Sequence, residues 1–184
     1  TVGPYSGTYK TTDGGLNWSP LTFAGNMCYN QGLYFFSQGN GAVGGSGCFQ
    51  GEHIEMMSSG TLSAPIINTP SWDAQDIVLD IDFEGANFGL AVSPNRFLRT
   101  TDGGATWDTI PTGFPDIELT SIEIVDDTLA YAGFKDLSSN FGIMMTTDAG
   151  LTWSQDINIA TFYYPDYNDV VESNFGHIYA VGGA

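Results

Sequence analysis

The residues of this chain able to do chemistry are overwhelmingly carboxylates: 21 Asp and Glu stand against four Lys and Arg, two His and two Cys. Three stretches set an aromatic side chain beside an acid. They are Trp72 with Asp73, Phe114 with Asp116, and the richer run of Phe162, Tyr163, Tyr164, Asp166, Tyr167 and Asp169. Aromatic faces stack on sugar rings and carboxylates bind hydroxyls, so these are the candidate ligand-binding residues of a glycan or protein-contact surface. A second acidic run, Asp73, Asp76, Asp80, Asp82 and Glu84, includes Asp76, Asp80 and Asp82 at the even positions of a strand whose odd positions are Ile77, Leu79, Ile81 and Phe83. That alternation reads as one solvated strand face. Neither Asp80 with Asp82 nor Asp126 with Asp127 has the loop spacing of an EF-hand, and His53 and His177 are too few and too far apart for zinc, so no metal and no cofactor is expected. Cys28 and Cys48 lie 20 residues apart and fit one disulfide. No catalytic residue is assigned.

These groups must be held by a scaffold, and the scaffold is written three times. TTDGGLNW runs from Thr11 to Trp18, TTDGGATW from Thr100 to Trp107 and TTDAGLTW from Thr146 to Trp153. Each copy follows a short apolar stretch and ends on Trp, with Asp-Gly-Gly or Asp-Ala-Gly between, which reads as strand, turn, strand: Asp bonds the following N–H groups and Gly tolerates positive φ. The Trp is expected to pack beneath the turn. Asp13 to Asp102 is 89 residues and Asp102 to Asp148 is 46, so an eroded copy is expected near residue 58. Met56 to Pro65 fits, with Gly60 where Asp148 stands. Anchors near 13, 60, 102 and 148 divide one domain, 1–184, into units of about 45 residues, the length of a four-stranded propeller blade.

Ser/Thr-x-Asp-x-Gly-x-Thr/Ser-Trp resembles the Asp box, or BNR repeat, of sialidase, xyloglucanase, sortilin and photosystem II assembly-factor propellers. The two later copies match it throughout, while the first has Asn17 where Thr or Ser is usual and the eroded unit has Gly60 and Pro65 for Asp and Trp. The resemblance implies an all-β propeller of antiparallel blades and makes Asp13, Gly15, Trp18, Asp102, Gly104, Trp107, Asp148, Gly150 and Trp153 structural. It also implies a ligand face opposite these turns, formed by connections that carry the aromatic and acidic residues named above. A sialidase site of that family uses three arginines, whereas this chain has two, Arg96 and Arg99, and Arg99 leads into a repeated turn.

Apolar stretches at Gly32 to Phe36, Ile77 to Phe83, Phe88 to Val92, Ser121 to Val125, Thr128 to Phe134 and His177 to Val181 supply strands, with 24 Gly and eight Pro punctuating them. The chain begins with the last two strands of a unit and ends with the first two of another. From Asp148 to Ala184 is 36 residues and Asp13 adds 13, about one repeat, so two architectures fit: a four-bladed ring closed by the termini, or part of a larger propeller.

A net charge of −17 disfavours nucleic acid and anionic lipid surfaces. No run of 18 apolar residues crosses a membrane. The functional expectation is a non-catalytic secreted or cell-surface module that binds or scaffolds protein or carbohydrate, its partners including the remaining blades of a larger chain. The alternative is a segment of a xyloglucanase-like or sialidase-like glycoside hydrolase.

Overall fold

The computed structural model describes residues 8–21, 27–37, 39–47, 52–58, 61–62, 77–137, 141–156, 166–173 and 176–183. Within them the chain is all strand and turn. Three four-stranded antiparallel sheets follow one another in sequence. The first holds β3 (Met27–Ser37), β4 (Asn40–Gly47), β5 (Glu52–Ser58) and β6 (Thr61–Leu62). The second holds β7 (Asp80–Glu84), β8 (Phe88–Ser93), β9 (Arg96–Thr100) and β10 (Asp108–Pro111), and the third β11 (Ile117–Ile124), β12 (Ala130–Asp136), β13 (Phe141–Thr146) and β14 (Ser154–Asp156). Two-stranded sheets stand before and after them: β1 (Tyr9–Lys10) with β2 (Ser19–Pro20), and β15 (Asp166–Glu172) with β16 (Ile178–Gly183).

Each four-stranded sheet is a meander in sequence order, which short turns between alternating segments dictate. The repeated turn links the third strand to the fourth, β9 to β10 and β13 to β14, and links β1 to β2. In the eroded unit β5 and β6 pair directly, Met57↔Leu62 and Ser58↔Thr61. Two strands differ from their sequence boundaries for a physical reason. β7 starts at Asp80 rather than Ile77 because the preceding residues bridge two blades, with the Val78 N–H donating to Gly45 O and the Leu79 N–H to Val92 O. β3 reaches back to Met27 across three irregularities of register.

The core lies between blades rather than inside one. Ala42 and Ile54 of the first sheet close on Ile81, Phe83, Ala91 and Leu98 of the second, with Tyr34 and Phe36 packed edge-on to Phe83 or to each other. Leu90, Val92 and Phe97 of the second sheet close on Leu119, Ile122, Ala132 and Met144 of the third. Close approach needs a small residue at Gly44, where a Cβ would lie 2.5 Å from Val78 Cγ1.

The ring does not close. β1–β2 and β15–β16 remain separate sheets, so the expectation of a four-bladed ring joined through the termini is corrected. β15 packs on β11 and β12, at the far end of the row from β1 and β2, where Leu21 packs on Val43 and Met57. The two half-blades therefore occupy opposite ends of one arc.

Candidate functional site

The three repeats fold to one hydrogen-bonded turn. In the second copy the Thr100 hydroxyl donates to Asp102 Oδ1 at 2.8 Å and accepts from the Gly104 N–H at 3.0 Å. Asp102 then accepts the Thr106 N–H at 2.8 Å and the Thr106 hydroxyl at 2.6 Å. Asp148 repeats this set with Thr146 and Thr152. In the first copy Asn17 takes the place of the last Thr without loss, since its Nδ2 donates to Asp13 Oδ2 at 2.7 Å and its N–H to Oδ1 at 2.9 Å. The side-chain donor from Asn17, Thr106 or Thr152, followed by the same residue's N–H, holds all three aspartates down at a pKa of about 2. Carboxylates so engaged are fixed anions of the frame.

The tryptophans do not all pack alike. Trp153 stacks flat on Phe97 of the preceding blade, ring centroids 3.9 Å apart, and Trp107 meets Phe83 edge-on at 5.7 Å. Trp18 is 60% exposed, because no described residue lies where a preceding blade would stand. The expectation that each Trp is packed is thus corrected for the first copy.

The Asp80 and Asp82 pair does not form a solvated strand face; it joins two blades. Asp80 Oδ2 accepts the Ile122 N–H at 3.0 Å and Asp82 Oδ2 the Ile124 N–H at 2.6 Å, while their Oδ1 atoms accept the Ile81 and Phe83 N–H groups. The inner strand β11 presents its edge toward the middle of the arc, and carboxylates two residues apart satisfy alternate N–H groups along it. One blade further, Glu123 Oε1 accepts the Glu172 N–H at 2.9 Å. Burial pushes Asp82 up to about 6 in spite of the opposing N–H bonds from Ile124 and Phe83, with Asp80 and Glu84 adding to the rise. Sequence spacing holds the clue: Asp80 to Ile122 and Asp82 to Ile124 are both 42 residues, one repeat.

These acids wall an open recess of about 400 Å³ at the inner strands, lined by Tyr34, Asp80, Asp82, Glu84, Glu123 and Ile124 among others. Burial raises the Tyr34 hydroxyl's pKa, as do the negative fields of Asp82, Glu84 and Glu123. Its chemistry suits a cation or a hydrogen-bond donor.

Of the expected ligand residues, Phe114, Asp116, Asp166 and Tyr167 fall within the described residues. Trp72, Asp73, Tyr163 and Tyr164 lie outside the described residues. Asp166 and Tyr167 open β15, opposite Gly183 and Gly182. Phe114 packs against the core between the second and third blades, and Asp116 is exposed with its carbonyl accepting the Leu137 N–H at 3.2 Å. Asp126 caps its own turn through the N–H groups of Thr128 and Leu129, which lower its pKa. His53 is buried, 3.3 Å from Glu55, and His177 is exposed. Arg99 donates to Ala149 O at 2.7 Å, the structural place expected of it. Cys28 is buried and is not a free thiol, while Cys48 lies outside the described residues. Among the described residues no group of three or more His, Cys, Asp or Glu side chains stands together as a metal site, and no helix is long and apolar enough to cross a membrane.

No protein-family model and no curated protein sequence matches the chain. Solved structures do. The structure of YCF48 bound to D1 peptide is 22% identical, with a TM-score of 0.58 over 87% of this chain and 48% of that one. YCF48 from Cyanidioschyzon merolae is 13% identical, with a TM-score of 0.69 over 97% of this chain and 59% of that one. This chain thus spans about half the length of the solved structures it resembles. The expected secreted or cell-surface location is overturned by these matches, which are to a photosystem II assembly factor of the thylakoid lumen or chloroplast. What the likeness establishes is the fold, an all-β propeller of antiparallel blades whose ring is open in this chain.

Proposed function

We propose that this chain is a non-catalytic, protein-binding β-propeller unit that receives a basic peptide segment at the acid-walled recess of its inner strands. The observation that carries this reading is the recess itself, where Asp80, Asp82, Glu84 and Glu123 concentrate negative charge around Tyr34 in a chain of net charge −17. A Lys or Arg side chain is the complement to that field, and long-range attraction would speed its arrival. The likeness to a YCF48 structure bound to a peptide supports a protein rather than a carbohydrate partner. Against catalysis stands the use of the acids: Asp80, Asp82 and Glu123 bond backbone N–H groups of neighbouring strands, so they build the wall rather than flank a bond to be cleaved. The same reading joins Cys28 and Cys48 in one disulfide across β3 and β4. That Cys28 is buried and is not a free thiol supports it.

The test is a panel of basic, neutral and acidic peptides titrated by fluorescence anisotropy, beside a hydrolysis assay on polysaccharides. Basic peptides should bind, with affinity falling as salt rises, and Glu84→Gln should weaken them. Glycan cleavage, glycan binding in place of peptide binding, or equal affinity for acidic peptides contradicts the reading.

A further inference from the structure

The wall of the acid-lined recess presents acceptors, because its backbone donors are already engaged. The N–H groups of Ile81 and Phe83 donate to Asp80 and Asp82 Oδ1, and those of Ile122 and Ile124 donate to the Oδ2 atoms of the same two carboxylates. In an antiparallel sheet a residue's C=O leaves the strand on the same side as its N–H. The carbonyls of Ile81, Phe83, Ile122 and Ile124, all lining residues, therefore share those edges, about 7 Å apart along each strand. The carboxylates of Asp80, Asp82, Glu84 and Glu123 add further acceptors, and each can take more than one bond. Among the described lining residues the one side-chain donor at neutral pH is the Tyr34 hydroxyl.

Tyr34 adds a surface of a second kind. Its ring lies 5.6 Å from Phe36 and 5.6 Å from Phe83, centroid to centroid, so two neighbours fix its orientation while it stays half-buried at the recess. An aromatic face attracts a cation on its own account, and the negative fields of Asp82, Glu84 and Glu123, which reach the Tyr34 hydroxyl, reinforce that attraction.

The chain makes such a contact elsewhere. The Arg99 guanidinium stands over the Phe88 ring, Cζ 5.7 Å from its centroid, while Nε donates to Ala149 O of the next blade at 2.7 Å. One cationic plane thus takes an aromatic face and a carbonyl of the neighbouring blade together.

We infer that the recess is a receptor for an arginine side chain, its guanidinium laid on Tyr34 and its N–H groups fanned to the carbonyls of β7 and β11 and to the carboxylates beside them. This rests on the proposal that a basic peptide enters the recess, and narrows it to one residue type. The choice follows from the shape of the donors. A guanidinium carries five N–H donors in one rigid plane, is weakly hydrated and stacks on aromatic rings. An ammonium carries three donors on a single strongly hydrated atom and cannot span acceptors about 7 Å apart.

The test uses capped peptides identical except at one position, which holds Arg, Lys or citrulline, titrated onto the chain by fluorescence anisotropy at neutral pH. Arg should bind about tenfold more tightly than Lys, and citrulline, which keeps the shape without the charge, should bind least. A fourth peptide with dimethylated Arg keeps its charge and loses donors, so it should fall to the Lys level. Tyr34→Leu should cut the preference for Arg over Lys to about twofold and Tyr34→Phe should keep it, with circular dichroism checking that both are folded. If Tyr34→Leu does not fold, the four peptides on the unaltered chain decide the matter. Equal affinity for Arg and Lys, or no loss on methylation, overturns the arginine assignment and leaves a receptor for any basic peptide. A preference for Arg that survives undiminished in Tyr34→Leu overturns it as well. Failure of all four peptides to bind overturns the assignment together with the reading beneath it.

Discussion

Replacing Asp82 by Asn should remove a pH dependence of stability that the unaltered chain possesses between about pH 4 and 6. Burial raises the folded-state pKa of Asp82 from 3.8 to about 6. The folded protein therefore holds a proton that the unfolded chain releases, and stability falls as pH rises through that window, then levels off above it. A rise of about two units at 1.36 kcal/mol each amounts to about 3 kcal/mol. The ionised form persists at neutral pH because Ile124 and Phe83 donate to it, and an unmet buried N–H would itself cost about 1–3 kcal/mol. Asp82→Asn retains one acceptor and cannot titrate. Urea unfolding of both proteins at half-unit steps from pH 4 to 8 should show the unaltered chain losing stability on the way up while the variant stays flat. Parallel curves for the two would refute the placement of Asp82 as a buried carboxylate between blades.

Below that window the sign reverses. Asp13, Asp102 and Asp148 have folded pKa values lowered from 3.8 to about 2, so their stabilisation is present above pH 4 and lost as pH falls through 2, and Asp102→Ala should flatten the acid limb of a thermal melt. Ala149 adopts φ +58, a left-handed conformation that costs a non-glycine residue about 1 kcal/mol, so Ala149→Gly should raise unfolding free energy by about that amount in chemical denaturation. Gly15→Ala should cost only about 1 kcal/mol of such strain, whereas Gly150→Ala also forces a Cβ to within 2.6 Å of the buried Leu90 and should cost about 1–3 kcal/mol more. Equal costs for the two would mean that the preceding blade does not press on Gly150.

The frame was legible because its determinants are local. A threonine hydroxyl and an aspartate four residues from their N–H donors need no other part of the chain, so TTDGG and TTDAG announce the turn and their interval announces the blade. β4 was not legible: its Asn-Gly-Ala-Val-Gly-Gly-Ser-Gly sequence has no strand periodicity, and it is a strand because β3 and β5 pair with both of its edges, while Gly44 leaves room for Val78. Asp80 and Asp82 were seen as a pair and given the wrong surroundings, since period-two alternation places side chains on a face without saying whether that face meets water or the next blade. The recess eluded sequence reading for a similar reason. Its walls come from β3, β7 and β11, which only the stacking of blades brings together.

The most direct measurement is a photo-crosslink between this chain and a lysine-rich peptide bearing a photoreactive group, mapped by mass spectrometry. The account predicts adducts on Tyr34, on 80–84 and on 122–124, lost at high salt. Adducts confined to the repeated turns, or the same pattern from an acidic peptide, would contradict it.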